Sequence, residues 1–408
     1  MRKASLLALF LTVFIDLIGF GMVIPFLSFY AREYGASGLA VGAVVGIYSI
    51  MQFFFAPVWG RFSDRVGRRP ILLLSLAASF TGYLLFAFAR SLSVLFVSRV
   101  IAGAGGANIG TAQAYIADST TPEERAKGMG LIGAAFGMGF ILGPPLSGFL
   151  SAVGTRHHHH GNLLPGLAAS ALSLTAFLIA LFVLPESKPP GLVPRSGLPP
   201  QFDRRIWRAM IHNRLLASLI SGLFLTLLAV AGMEIGVTLH ARERFGFRQI
   251  DMAWFFLFMG VIVALIQGGL IGKLAKVIGE KTLVIIGAAS FVLGFALVPS
   301  VYRVPLLYGV AFLIAIGQGL CYPSLTSMVS KVAPENERGS LLGLATSVGS
   351  LARFLGPLVS GFLYDLGGAP LAFYGGGVLM LGALAIAVSM HKLPVTGYEP
   401  TKEDFLSS

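Results

Sequence analysis

The chain has 408 residues, of which 55% are hydrophobic and only 12% charged, and its mean hydropathy is +0.81. A water-soluble domain carries about a quarter charged residues, so this composition packed as one would leave more apolar surface than its polar side chains can cover. The excess of 30 Lys and Arg over 18 Asp and Glu does not require nucleic acid as a partner, because a membrane protein gathers basic residues in its cytoplasmic loops.

Met1, Arg2 and Lys3 open an apolar run that continues to Tyr30, contains Asp16 and has no small-residue cleavage site, so it is predicted as a first span rather than a signal peptide. Apolar runs of about 20 residues or more predict further spans near 38–60, 70–89, 92–117, 126–151 and 163–184. A second set follows near 213–239, 252–272, 281–300, 304–330, 339–363 and 369–390. The predicted fold class is therefore an all-α polytopic membrane protein with twelve spans. Residues 1–184 form a first six-helix bundle, 185–212 a linker, 213–391 a second bundle and 392–408 a tail. The linker carries Pro189, Pro190, Pro199 and Pro200 together with Arg204, Arg205 and Arg208. With the amino terminus inside, 21 of the basic residues fall in inner segments and 7 in outer ones. That three-to-one bias places both termini and the linker in the cytoplasm of a cell whose inner membrane the chain spans. A single Cys321 excludes an internal disulfide and a cysteine-based metal site.

The two halves repeat. Gly143-Pro144-Pro145-Leu146-Ser147-Gly148-Phe149-Leu150 recurs as Gly356-Pro357-Leu358-Val359-Ser360-Gly361-Phe362-Leu363, a shift of 213. Pro122-Glu123 recurs as Pro334-Glu335, and Gly60 as Gly272, each at a shift of 212. One near-constant offset across three loops predicts two pseudo-symmetric six-helix bundles with a substrate cleft between them.

Charged residues inside spans are costly and mark function or pairing. Asp16 lies about 11 residues into span 1, roughly 16 Å deep, where a carboxyl without a fixed partner can take up and release a proton. Arg99, in span 4, cannot lose its proton and has to face a polar cavity or a partner. Its depth is within a few ångströms of that of Asp16, which predicts that the two compete, Asp16 being either protonated or held by Arg99 and substrate. Glu234 and Arg353 are the membrane charges of the second half, as a mutual ion pair or with Glu234 as a second protonation site. Gln52, Asn108, Gln113, Gln267 and Gln318 are lesser candidates for the cavity wall. The run His157–His160 and the stretch Leu192–Gly197 ground no function.

Three stretches carry a family resemblance. The loop Gly60-Arg61-Phe62-Ser63-Asp64-Arg65-Val66-Gly67-Arg68-Arg69-Pro70 resembles the signature between helices 2 and 3 of the major facilitator superfamily. The resemblance implies alternating access, with helices 1, 4, 7 and 10 lining the cavity. It also implies that Asp64 latches onto the amino end of helix 11 in the outward-open state, while Arg68 meets Asp118 at the inner end of helix 4. The second-half loop, Gly272 to Gly279, has Lys276 where the aspartate would stand, so the latch is expected in the first half only. Gly139, Gly143, Pro144 and Gly148 resemble the helix 5 motif of this superfamily's antiporters, although small residues at this spacing also let membrane helices pack closely.

Asp16-Leu17-Ile18-Gly19-Phe20-Gly21-Met22-Val23-Ile24-Pro25 resembles helix 1 of the tetracycline/proton antiporters. That group carries an acidic residue in helix 3, where this chain has Gly82, and another in helix 9, where Leu283 to Ser300 has none. The looser label of multidrug or small-molecule efflux is therefore the expectation. Together these features predict a proton-coupled antiporter exporting small apolar or cationic compounds, a monomer in the lipid bilayer that needs no cofactor beyond the proton gradient. An exporter of sugars or metabolites and a transport-inactive sensor are the alternatives. No phosphate loop, nucleophile elbow or metal-ligand spacing supports an enzyme.

Overall fold

The computed structural model describes residues 2–187, 199–334 and 337–391; the tail 392–408 and the stretch Leu192–Gly197 lie outside the described residues. Helix α1 (Arg2–Val23) passes through a 3₁₀ turn at Ile24–Phe26 into a short helix, Leu27–Glu33. It is followed by α2 (Gly38–Val66), α3 (Arg68–Ala87), α4 (Leu92–Ser119), α5 (Pro122–Arg156) and α6 (Leu163–Val183). After a linker helix, Arg204–His212, come α7 (Arg214–Phe245), α8 (Gln249–Ile278), α9 (Glu280–Leu297) and α10 (Val304–Val332). The last helical stretch, Arg338–His391, breaks at Gly367 and Gly368, where Gly368 has φ +66°. That left-handed conformation suits glycine and divides the stretch into α11 (338–366) and α12 (369–391).

These twelve apolar helices, counted among the described residues, satisfy their backbone internally, as a chain crossing hydrocarbon must. Several run past the apolar stretches of the sequence: α2 extends to Val66, α5 from Pro122 to Arg156, and α8 from Gln249 to Ile278. An apolar run marks only the part of a helix that lies in hydrocarbon, and the polar turns at its ends remain helical beyond it.

In the first half α1 packs on α5 and α6, α3 on α4 and α6, and α2 on α4. In the second, α7 packs on α10 and on the α11–α12 stretch, as does α9. The repeated Gly-Pro motif makes the same crossing in each half. A Cβ on Gly143 of α5 would lie 2.7 Å from Gly21 Cα of α1, and one on Gly356 of α11 would lie 3.1 Å from Gly232 N of α7. Helix α5 runs helically through Pro144 and Pro145.

The face of the bundle that carries Arg2 and His391 is here the terminal face, and the opposite one the far face. Around the far face one buried core joins both halves, with Phe26, Tyr30 and Val41 from the first and Leu239, Met252 and Phe373 from the second. Towards the terminal face the core divides into one cluster around Leu9, Leu72 and Tyr115 and another around Leu219, Leu325 and Leu341.

The helix crossings between the halves follow the same division. Helix α2 meets α11 closely: a Cβ on Gly42 would lie 2.9 Å from Leu358 Cα, and one on Gly46 would lie 2.7 Å from Phe354 O. Helix α5 meets α8 where Gly148 faces Gln249 and Ala253. Nearer the terminal face, a Cβ on Gly60, Gly133, Gly269 or Gly339 would find nothing within 4 Å among the described residues. The halves are thus joined at the far face and parted at the terminal face.

A linker turn sits in the terminal-face gap. Gln201 Nε2 donates to Phe53 O of α2 at 3.4 Å, and Ser347 Oγ of α11 donates to Gln201 Oε1 at 3.3 Å. The Phe202 ring stands edge-on to Phe53 at 5.9 Å, and Trp207 Nε1 donates to Gln201 O at 3.0 Å.

Candidate functional site

The charged loop between α2 and α3 is organised by Arg68. Gly67, at φ +110°, turns the chain sharply enough to return Arg68 over the last turn of α2. The Arg68 Nη1 atom donates to Ser63 Oγ at 2.7 Å and to Asp64 Oδ1 at 2.5 Å, while its Nε donates to Asp118 Oδ2 of α4 at 2.9 Å. One buried guanidinium therefore holds two carboxylates from different helices. In this conformation Asp64 is engaged by its own loop, and the space beside Gly339 at the start of α11 is open. Arg65 is exposed, and Arg69 donates to Leu181 O of α6.

Glu186 belongs to no motif in the sequence. Its carboxylate accepts from Arg68 N at 2.8 Å and Arg69 N at 3.1 Å, so it caps the amino end of α3, where a negative charge is favoured by the helix dipole. The adjoining Pro185-Glu186 step, where the apolar run of α6 ends, is the one signal that pointed there.

Asp16 and Arg99 are both buried among side chains of the first bundle. Asp16 Oδ1 accepts from Ser173 Oγ of α6 at 2.7 Å, with Ser79 of α3 as the second hydroxyl beside it. Arg99 is 0% exposed. Its guanidinium lies 5.6 Å from the centre of the Tyr83 ring and 5.2 Å from that of Phe86, and its Nε donates to Ser98 Oγ at 3.3 Å. Its two terminal nitrogens have no hydrogen-bond partner among the described residues. The two charges do not form an ion pair; Tyr83 and Tyr48 lie near both. Aromatic faces can hold a desolvated cation, and hydroxyls can hold a carboxyl, so each charge has its own cradle. No charge or motif marks these serines and aromatics along the chain.

Gly82 explains why α3 lacks an acidic residue here. A Cβ at that position would lie 2.7 Å from Ala102 Cβ and 2.8 Å from Ala102 N of α4, so the crossing of α3 and α4 leaves no room for a side chain.

Glu234 and Arg353 interact electrostatically but form no ion pair within 4.0 Å. Arg353 Nη2 instead donates to Ser350 Oγ at 3.0 Å. Of the polar candidates, Gln52 Nε2 donates to Gly106 O of α4 at 2.9 Å, an interhelical bond, and Asn108 is buried at the 3₁₀ break Gly106–Asn108. Gln113 and Gln267 are exposed, and Gln318 is half-buried. Gly139 packs on Leu17 of α1, and Gly143 on Gly21.

This fold and these motifs have counterparts among known proteins. The sequence model of the Major Facilitator Superfamily matches residues 9–278 and 268–405. The chain belongs to the major facilitator superfamily. It is 32% identical over 372 residues to the class E tetracycline resistance protein of Escherichia coli, covering 90% of this chain and 89% of that one. Multidrug resistance protein 2 of Bacillus subtilis (strain 168) is 30% identical over 376 residues, with 90% of each chain covered. Among solved structures, the human organic anion transporter MFSD10 superposes with a TM-score of 0.70 at 25% identity, over 95% of this chain and 99% of that one. The protein is a multi-pass membrane transporter of this superfamily, whose members handle small-molecule substrates.

Proposed function

We propose that this transporter is a proton-coupled antiporter that exports small apolar or cationic compounds by alternating access, acting as a monomer. In this reading the terminal face is cytoplasmic in a cell with an inner membrane, so the conformation described is inward-facing. The observation that carries the coupling is Asp16: a membrane carboxyl held by the Ser173 hydroxyl with no cation in contact among the described residues, in a chain with relatives named for tetracycline and multidrug resistance. A carboxyl held only by hydroxyls can keep its place in both protonation states, which is what a carrier of protons needs. Arg99 is held separately between the Tyr83 and Phe86 rings and leaves that carboxyl without a cation partner. Asp64, Arg68 and Asp118 form the cytoplasmic gate, released here and engaged when that face closes.

The test is transport into proteoliposomes under an imposed pH gradient, across a panel of compounds. Asp16→Asn is expected to bind substrate as the wild type does and to lose concentrative, pH-driven transport. Should the variant still concentrate substrate, the proton carrier lies elsewhere and Glu234 is next. A second reading, export of an organic anion, is favoured by Arg99 and Arg353, which form no ion pair within 4.0 Å among the described residues, and by the solved relative named as an organic anion transporter. The panel therefore includes organic anions. Absence of substrate-linked proton movement with every compound would point to the sensor instead.

A further inference from the structure

At the far face, the carboxylate of Asp365 bridges the two halves. Asp365 lies at the last turn of α11, just before the break at Gly367. Its Oδ1 accepts from Gly38 N at 2.6 Å and its Oδ2 from Leu39 N at 2.8 Å, both in the first turn of α2. The Ser37 hydroxyl accepts from Ala40 N at 3.2 Å, so the amino end of α2 is capped jointly by its own serine and by an aspartate of the other half. A carboxylate at the end of its own helix sits against the negative pole of that helix, and the positive pole of α2 relieves this. The contact is made only while the halves meet, because Gly38 packs directly on Gly361 and the backbone donors reach no further than a hydrogen bond.

We propose that Asp365 is a positioning residue of the transport cycle: a latch that holds the far face closed by capping α2 across the two halves. The same helix pair then carries an aspartate at each of its opposite ends. Asp64 ends α2 at the terminal face, where α11 begins across the parted halves, and Asp365 ends α11 at the far face, in contact with the start of α2. Rocking the halves about their middle cannot satisfy both, so one aspartate is engaged as the other is released. Arg32 and Glu243, 3.5 Å apart, and Tyr364, whose hydroxyl donates to Glu243 at 2.5 Å, add side-chain contacts at the same face. The Asp365 contact differs from these in having backbone as its partner, so no complementary charge on α2 can replace it.

The inference rests on the alternating-access reading, and its test separates the two. Spin labels at positions 90 and 303, both exposed on far-face loops of opposite halves, report the far-face separation without any transport. In a background with Cys321→Ser, Asp365→Ala is expected to raise the ratio of far-open to far-closed molecules by roughly tenfold, the effect of losing a charge-assisted hydrogen bond. Asp365→Asn, which keeps the shape and one acceptor, is expected to give a smaller rise and guards against a variant that fails to fold. Unchanged distance distributions in a folded Asp365→Asn or Asp365→Ala protein would overturn the latch. A shifted distribution in a protein that moves no protons with any compound would keep the latch and overturn the coupling.

Discussion

Arg68 shows how much can depend on one side chain in this molecule. Its guanidinium holds Asp64 and Asp118, and the side chains on either side of these pairs are 6% and 15% exposed. Arg68→Ala leaves two carboxylates facing each other without their cation. Breaking a fully buried pair costs about 3 to 5 kcal/mol, and the residual solvent contact here lowers the expected loss to roughly 2 kcal/mol. The thermal midpoint in detergent is the measurement, and an unchanged midpoint would mean that the network adds nothing to stability. Asp64→Asn separates stability from turnover, since Asn keeps the shape and can still accept from Arg68. It is expected to fold like the wild type and to lose most transport. Wild-type transport by Asp64→Asn would remove Asp64 from the gate.

The helices themselves were legible in the sequence, because crossing hydrocarbon demands long apolar runs and the Gly143 and Gly356 motifs announced a duplicated crossing. The pairing of Arg68 with Asp118 is what the family resemblance of the loop implies, and the structure has it at 2.9 Å. What could not be read is the packing register. Nothing in a linear sequence shows that Ser173 of α6 comes round to Asp16, that Glu186 caps α3, or that Tyr83 and Phe86 enclose Arg99, because serines and aromatics are common in any membrane helix. Gly82 is the sharpest case at this scale, a missing acidic residue whose cause is the tight crossing of α3 with α4. Gly82→Asp is expected to sharply reduce the yield of folded protein. Adding Ala102→Gly removes the Cβ that the new side chain would meet first and is expected to restore part of that yield, measured as the monodisperse fraction after size exclusion. Equal yields from Gly82→Asp and the wild type would show that α3 and α4 do not cross as described.

For the whole molecule, the decisive property is a core that is shared by the halves at the far face and separate in each half at the terminal face. Thiols introduced at Gly133 and Gly339, where a Cβ meets nothing within 4 Å, are expected to react with a membrane-impermeant maleimide from the cytoplasmic side and not from outside. Labelling from outside alone would invert the assigned orientation. The gap at the terminal face is not vacant, however: Gln201 bonds to α2 and to α11, and Phe202 lies against Phe53. Bringing those two helices together has to displace the turn, and parting them crosses the same barrier in reverse, so the linker contacts add to the cost of closing this face. The dwell time of the empty carrier in this posture is then governed partly by a connecting segment remote from Asp16, and two relatives with the same cavity but different linkers can run at different tempos.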